Sequence, residues 1–168
     1  MIKRAEDLIQ KLQLQKHPEG GYFKEVYRSN EQISKTGLPN RFAGSKSFGT
    51  SIYFMLTSDS FSAFHKINQD ETWHFYEGST IELHMINTEG VHSTVLIGSK
   101  LEEDNHFQFT VSGNVWFAAK VIESNNYSLV GCTVAPGFDF DDFSLANRND
   151  LISSFPNCAE IIEQFTRE

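Results

Sequence analysis

Apolar and polar residues alternate along most of this chain with the two-residue period of half-buried strands. Thr50–Leu56, Phe61–Ile67, Glu71–Tyr76, Thr80–Asn87, His92–Gly98, Phe107–Val111, Val115–Ile122 and Tyr127–Val134 all read this way. Turn signals separate them, among them Ser58-Asp59, Thr88-Glu89-Gly90, Ser112-Gly113-Asn114 and Ser124-Asn125-Asn126. Many short strands at close spacing predict an all-β sandwich or barrel. No helical period intervenes between them, which excludes a parallel α/β sheet.

The two ends follow another rhythm. Ile2, Ala5, Leu8 or Ile9, and Leu12 recur at helical spacing with charges between them, predicting a short amphipathic helix lying on the sheet. The breaker cluster His17-Pro18-Glu19-Gly20-Gly21 follows, then a strand over Tyr22–Ser29. Glu31–Ser47 has no clear period and reads as a long loop, either a plain surface loop or a candidate lid over the pocket. A final helix is predicted over Asn157–Phe165, with Asn157 as N-cap and Ile161, Ile162 and Phe165 as its apolar face. The expected organisation is one domain over 1–168, with a barrel core at about 50–134, an N-terminal helix and strand at 2–29, and a C-terminal helix at about 157–165.

Composition sharpens this picture. At 168 residues the chain is long enough to bury a sizeable core. Fifteen Phe favour a β-rich interior. A net charge of −8 argues against a nucleic-acid partner. The two cysteines, Cys132 and Cys158, are far apart and fit a reducing cytoplasm. The charged N-terminus does not read as a signal peptide, and no apolar run is long enough to span a membrane.

Candidate chemistry gathers in Phe61–Gly78, where His65, Glu71, Trp73, His74 and Tyr76 flank a short polar turn. Titratable groups beside large aromatics are what a lined pocket needs, because apolar walls shift their pKa values. Strand alternation puts Glu71, Trp73 and Phe75 on one face and His74 and Tyr76 on the other. His17, His84, His92 and His106 carry no spacing signal and read as surface or turn histidines. Asp139, Asp141 and Asp142 read as a solvated turn.

The spacing of His65, Glu71 and Gly78 resembles the first cupin motif, G-x5-H-x-H-x3-4-E-x6-G. Ile67 stands where its second His belongs, and Asp59 lies near the place of its opening Gly. The second motif, P-x-G-x2-H, finds its best match at Val111–Trp116, where Gly113 fits but Trp116 replaces the metal-binding His. With His17–Ser29, Ser51–Leu56 and Gly131–Leu145, these blocks resemble an RmlC-like cupin subfamily catalogued as a domain of unknown function. The resemblance implies an all-β double-stranded β-helix, a jelly-roll barrel with short flanking N- and C-terminal helices, usually a homodimer. It implies a site at the barrel mouth, with His65, Glu71, Trp73 and Trp116 pointing inward and His74 either there or at an interface.

Three functions stay open on that basis. The first is a metal-independent, sugar isomerase- or epimerase-like enzyme. Its catalytic residues would be His65 as base, Glu71 or Asp70 to orient it, and Tyr53 or Tyr76 as acid. The second is a non-catalytic sensor or carrier that binds a sugar-like or planar small molecule; on either reading Trp73, Phe75, His74 and Trp116 are the ligand-binding residues. The third is a metal enzyme, for which only His65 and Glu71 would remain as ligands. The first is the favoured expectation, with no cofactor, no nucleic-acid or membrane partner, and a cytoplasmic location.

Overall fold

The structure is a computed structural model that describes residues 2–167. Helix α1 (Lys3–Leu12) leads into strands β1 (Gln15–Lys16) and β2 (Tyr22–Arg28), then the short pair β3 (Gln32–Ile33) and β4 (Lys46–Ser47). The long strands are β5 (Thr50–Thr57), β6 (Phe61–Lys66), β7 (Asp70–Gly78), β8 (Ile81–Ile86), β9 (His92–Ile97), β10 (Gln108–Val111), β11 (Trp116–Val121) and β12 (Tyr127–Ala135). A short β13 (Ser144–Leu145) precedes helices α2 (Arg148–Ser154) and α3 (Ala159–Gln164). One sheet runs β1-β2-β5-β12-β7-β10 and the other β13-β6-β11-β8-β9. The strands within them pair antiparallel. This is a jelly-roll barrel of two sheets, as the cupin resemblance implies and within the sandwich-or-barrel class that the alternation predicts.

The inner faces meet in one core. Phe54, Leu56, Trp73, Val130 and Cys132 come from the first sheet, and Ile81, Leu83, Phe117 and Ala119 from the second. Burying a side chain of this size contributes about 1.5–3 kcal/mol. Helix α1 covers the outside of the first sheet, where Ala5 and Leu8 meet Met55, Tyr127 and Leu129. Helices α2 and α3 cover the outside of the second through Leu151, Ile162 and Phe165, packed on Phe64, Ile86 and Ala118. None of these helices is long and apolar enough to cross a membrane. Two glycines allow close backbone packing at the two ends of β7. Gly78 has φ +107° and lies so close to the Tyr127 carbonyl that a Cβ would collide with it. Gly113 packs on the Asn68 carbonyl in the same way.

Several boundaries depart from expectation. Asn157 does not cap the last helix; it lies in a 3₁₀ turn (Pro156–Cys158), and α3 starts without a side-chain cap. The cap is Asn147, which accepts from the Asp150 N–H and starts α2, a helix hidden in a stretch that reads as merely polar. Glu31–Ser47 does not cover the cavity described below. It is anchored at its end by Lys46, whose Nζ lies 2.7 Å from Asp142 Oδ2. That pair is almost fully buried, and Asn68 and Gln69 donate to the same carboxylate. Asp142 is therefore a buried tie between two loops, not part of a solvated turn.

Candidate functional site

A cavity of about 240 Å³ opens inside the barrel. The first sheet supplies Phe23, Ile52, Phe54, Trp73 and Val134 as its apolar wall, and β6 and the turn after it supply His65 and Ile67. The segment after β12 closes over it with Phe138, Phe140 and Phe143, fastened by Arg28, which donates to the Phe138 carbonyl at 3.0 Å. A volume below the usual 300–1,000 Å³ of drug-sized sites suits a small ligand.

One carboxylate organises the polar groups. Glu19 is buried, and its Oε2 lies 3.1 Å from His65 Nε2 and 3.2 Å from His17 Nδ1. Its other oxygen accepts from Ser62 Oγ at 2.8 Å. His65 Nδ1 donates to the Ala63 carbonyl at 2.8 Å. Each nitrogen of His65 thus faces an acceptor, and the second contact needs a proton shared between Nε2 and Glu19. Burial alone would raise the Glu19 carboxyl; His65, His17 and Ser62 outweigh it and hold the group below its ordinary range. Burial outweighs Glu19 and the Ala63 carbonyl, which favour a second proton, and holds the His65 imidazole below its ordinary range. His17 is ringed by Phe23, Phe54, Phe140 and Phe143 at centroid distances of 4.7–6.1 Å. His17 lines the cavity, and its Nε2 makes no hydrogen bond among the described residues; its Nδ1 also lies 3.4 Å from the Glu19 N–H, a donor that competes with the carboxylate for that nitrogen.

A second polar group lies on β7. Glu71 is buried with no cation beside it among the described residues, and burial, helped by the nearby Glu19 charge, pushes its carboxyl up to about 8. At neutral pH it is a carboxylic acid and can donate. Cys132 is close enough to hydrogen-bond it, and burial holds that thiol well above its usual range, so it is not a nucleophile. Two residues along the strand, Trp73 is 1% exposed and its Nε1–H has no hydrogen-bond partner among the described residues.

The structure gathers some of the expected residues and separates others. His65, Glu71 and Trp73 line the cavity. Trp116 does not: it faces outward under the C-terminal helices, beneath Lys66. The inward residue is its neighbour Phe117, which pairs with His65 across β11 and β6, its ring 4.0 Å from the imidazole. A one-residue slip reverses the face of every side chain on a strand. Phe75 packs into the barrel core without lining the cavity. Tyr53 and Tyr76 touch each other on the outer face of the first sheet, and neither lines the cavity. His74 shares that outer side, with Nε2 2.8 Å from Thr133 Oγ1. Asp70 accepts from the Gly113 N–H and does not orient His65. His17 begins a turn, as expected, but its ring is buried, and His84 is not a surface residue either. His84 is buried on the outside of the second sheet between His92 and Glu82. Glu19 was not singled out at all; only its place in a breaker cluster beside His17 marked it.

A cupin metal does not fit these residues. Ile67 and Phe117 occupy the wall around His65, and both nitrogens of His65 are already engaged. Among the described residues no three His, Cys, Asp or Glu side chains are disposed to hold an ion.

Comparison with known proteins agrees with the architecture. Residues 6–146 match the family model described as "Cupin superfamily (DUF985)". The Saccharomyces cerevisiae protein YML079W is 31% identical over 154 residues, 86% of this chain and 76% of the relative. A hypothetical protein from Leishmania major superposes with a TM-score of 0.88 at 34% identity, over 98% of this chain and 99% of its own. Protein SO0799 of Shewanella oneidensis gives 0.87 at 32% identity, over 97% of each chain. Bacillus subtilis oxalate decarboxylase, at 11% identity and a TM-score of 0.55 over 89% of this chain and 36% of its own, shares the fold alone.

Proposed function

We propose a function for a chain that belongs to the cupin superfamily family DUF985: metal-independent proton transfer on a small molecule, of isomerase or epimerase type. The observation that carries it is the buried bridge His17–Glu19–His65 on the cavity wall. A carboxylate that fixes one nitrogen of an imidazole leaves the other poised to take and return a proton. His17 Nε2 is that open nitrogen. His65, occupied at both ends, serves better as the group that keeps Glu19 charged than as the base itself. The largely apolar wall favours a planar or weakly polar ligand over a phosphorylated one, since Arg28 is already paired with Glu25 at 2.7 Å. We also propose a cytoplasmic homodimer, which light scattering of the purified protein would check.

The test is deuterium incorporation from D₂O into a panel of carbonyl compounds and reducing sugars, followed by proton NMR. Exchange that His17→Ala lowers about a hundredfold or more supports acid–base catalysis. Ligand binding without exchange in the wild type would leave a non-catalytic carrier or sensor.

A further inference from the structure

The groups at the heart of the cavity are sealed from solvent. Glu19, His65, Trp73 and Cys132 are each at most 5% exposed, so a ligand reaches them only if part of the wall moves. Most of that wall cannot move cheaply. Strands β5, β6, β7 and β12 each have a paired strand on both sides. The turn that carries His17 and Glu19 is pinned as well, because the Glu19 carbonyl accepts from the Ala63 N–H at 2.8 Å and from Arg167 at 2.9 Å. Residues 138–141 differ. They belong to no strand. Among the described residues two hydrogen bonds tie them to the rest of the protein: the Phe138 N–H donates to Thr50 Oγ1 at 3.0 Å, and Arg28 Nη1 donates to the Phe138 carbonyl at 3.0 Å. Both ends are held and buried. The Gly137 N–H donates to the Ser47 carbonyl at 2.8 Å, and Asp142 is paired with Lys46. Between these ends Asp139, Phe140 and Asp141 are exposed. Phe140 is 52% exposed, yet its ring lies over His17, 6.0 Å away and within 25° of parallel.

We propose that residues 138–141 are a gate over His17, hinged at Gly137 and Asp142, with Phe140 as its leaf and Arg28 as its latch. This deepens the reading of the cavity as a small-molecule site and rests on it. Parting any strand of the wall would break a ladder of backbone bonds. Lifting this segment breaks two hydrogen bonds and the ring contacts of Phe138 and Phe140, which makes it the cheapest local opening onto the site. Glu25 sets the latch. It accepts from Arg28 Nε at 3.0 Å and Nη2 at 2.7 Å, which aims Nη1 at the Phe138 carbonyl. Arg28 and Glu25 are exposed on β2, so water replaces the bond to Phe138 when the gate lifts. The tethers at Gly137 and Asp142 stay closed throughout, so the segment returns to the same place.

The protein carries its own probe. Of its two cysteines, Cys132 lines the cavity and Cys158 lies outside the barrel among the C-terminal helices. The folded protein is treated with methyl methanethiosulfonate, a small neutral thiol reagent, and the labelling of each cysteine is followed by peptide mass spectrometry. We expect Arg28→Met and Phe140→Ala to speed Cys132 labelling about tenfold or more, and Thr50→Val several-fold, with Cys158 unchanged within about twofold. In the wild type, urea below the unfolding transition should barely change the Cys132 rate, because a gate exposes little surface, whereas labelling through global unfolding rises steeply with urea. That comparison decides the matter even if a variant folds poorly. A Cys132 rate as steep in urea as global unfolding would overturn the gate. So would a rate that none of the three variants alters, or wild-type labelling as fast as that of the unfolded chain. Labelling involves no proton transfer on a substrate, so failure of the deuterium-exchange test would leave the gate standing. Exchange dependent on His17 in a protein without the gate would leave the acid–base reading standing.

Discussion

Two clusters in this molecule are built from nearly the same parts. In the cavity, Glu19 bridges His17 and His65. On the outside of the second sheet, Glu82 accepts from Lys120 at 3.0 Å and from His84 at 2.9 Å, and His84 Nδ1 lies 3.1 Å from His92 Nε2. Each has one carboxylate and two imidazoles, but the setting differs. Glu19 is sealed in with no lysine or arginine on its carboxylate among the described residues, so its charge depends on the histidines and Ser62. Glu82 is partly exposed, has Lys120, and lies below its ordinary range although its burial opposes this. His92 is exposed, and His84 packs against Phe165, 4.7 Å between rings, where it helps seat the C-terminal helices. Composition does not separate a reactive cluster from a structural one. A cavity on one side of an imidazole does.

The sharpest way to break this contrast is to remove each carboxylate. Glu19→Ala leaves two buried imidazoles and Ser62 without an acceptor and should cost about 3–5 kcal/mol in urea unfolding. Glu82→Ala, at a partly solvated site, should cost about 1 kcal/mol or less. Similar losses at the two sites would erase the distinction.

The cavity wall, through Glu71, and the outer cluster should also respond to pH with opposite signs. Glu71 is raised from 4.5 to about 8 in the fold, so its contribution is full below pH 4.5 and is lost as pH rises towards 8. Glu71→Gln, which mimics the neutral acid, should therefore be more stable than the wild type by roughly 3 kcal/mol at pH 7, the two converging near pH 4.5. Unfolding curves at three pH values would show it, and a pH-independent difference would contradict it. His84 is displaced downward, by burial first, so its contribution is present above pH 6.5 and lost as pH falls below that. Amide exchange over 148–164 should accelerate below pH 6.5 by several-fold, with His92→Gln reducing the effect. The smallest effect expected is that of a chelator, which should leave the melting temperature within about one degree. A larger fall would place a metal among His17, Glu19 and His65.

Much of this fold was legible from alternation alone, because strands buried on one face must repeat at two residues. The long strands come within one or two residues of their expected limits. Alternation put Glu71 and Trp73 on one face, and the resemblance to the cupin motif turned that face and His65 inward, where all three line the cavity. His17 and Glu19 were not legible as cavity residues. They lie in an aperiodic Pro-Gly turn, and β2 carries them to His65 and Ser62, more than forty positions away, through pairing that no local pattern records. Trp116 was misplaced because the inward side of β11 depends on register with β6, where a bulge between Phe117 and Ala119 intervenes. Asp142 looked solvated because its partner Lys46 sits about a hundred residues earlier, in a loop without period.

The central claim is that Glu19 holds His17 by Nδ1 and leaves Nε2 free in the cavity. The most direct test is the long-range ¹H–¹⁵N correlation spectrum of the histidine rings at pH 7, assigned with His17→Gln and His65→Gln. The account predicts a His17 ring protonated at Nδ1 with a lone pair on Nε2, and a His65 ring protonated at Nδ1 with its Nε2 proton shared with Glu19. Replacing Glu19 with Gln should change both patterns. A His17 ring carrying its proton on Nε2, unaltered by Glu19→Gln, would contradict it.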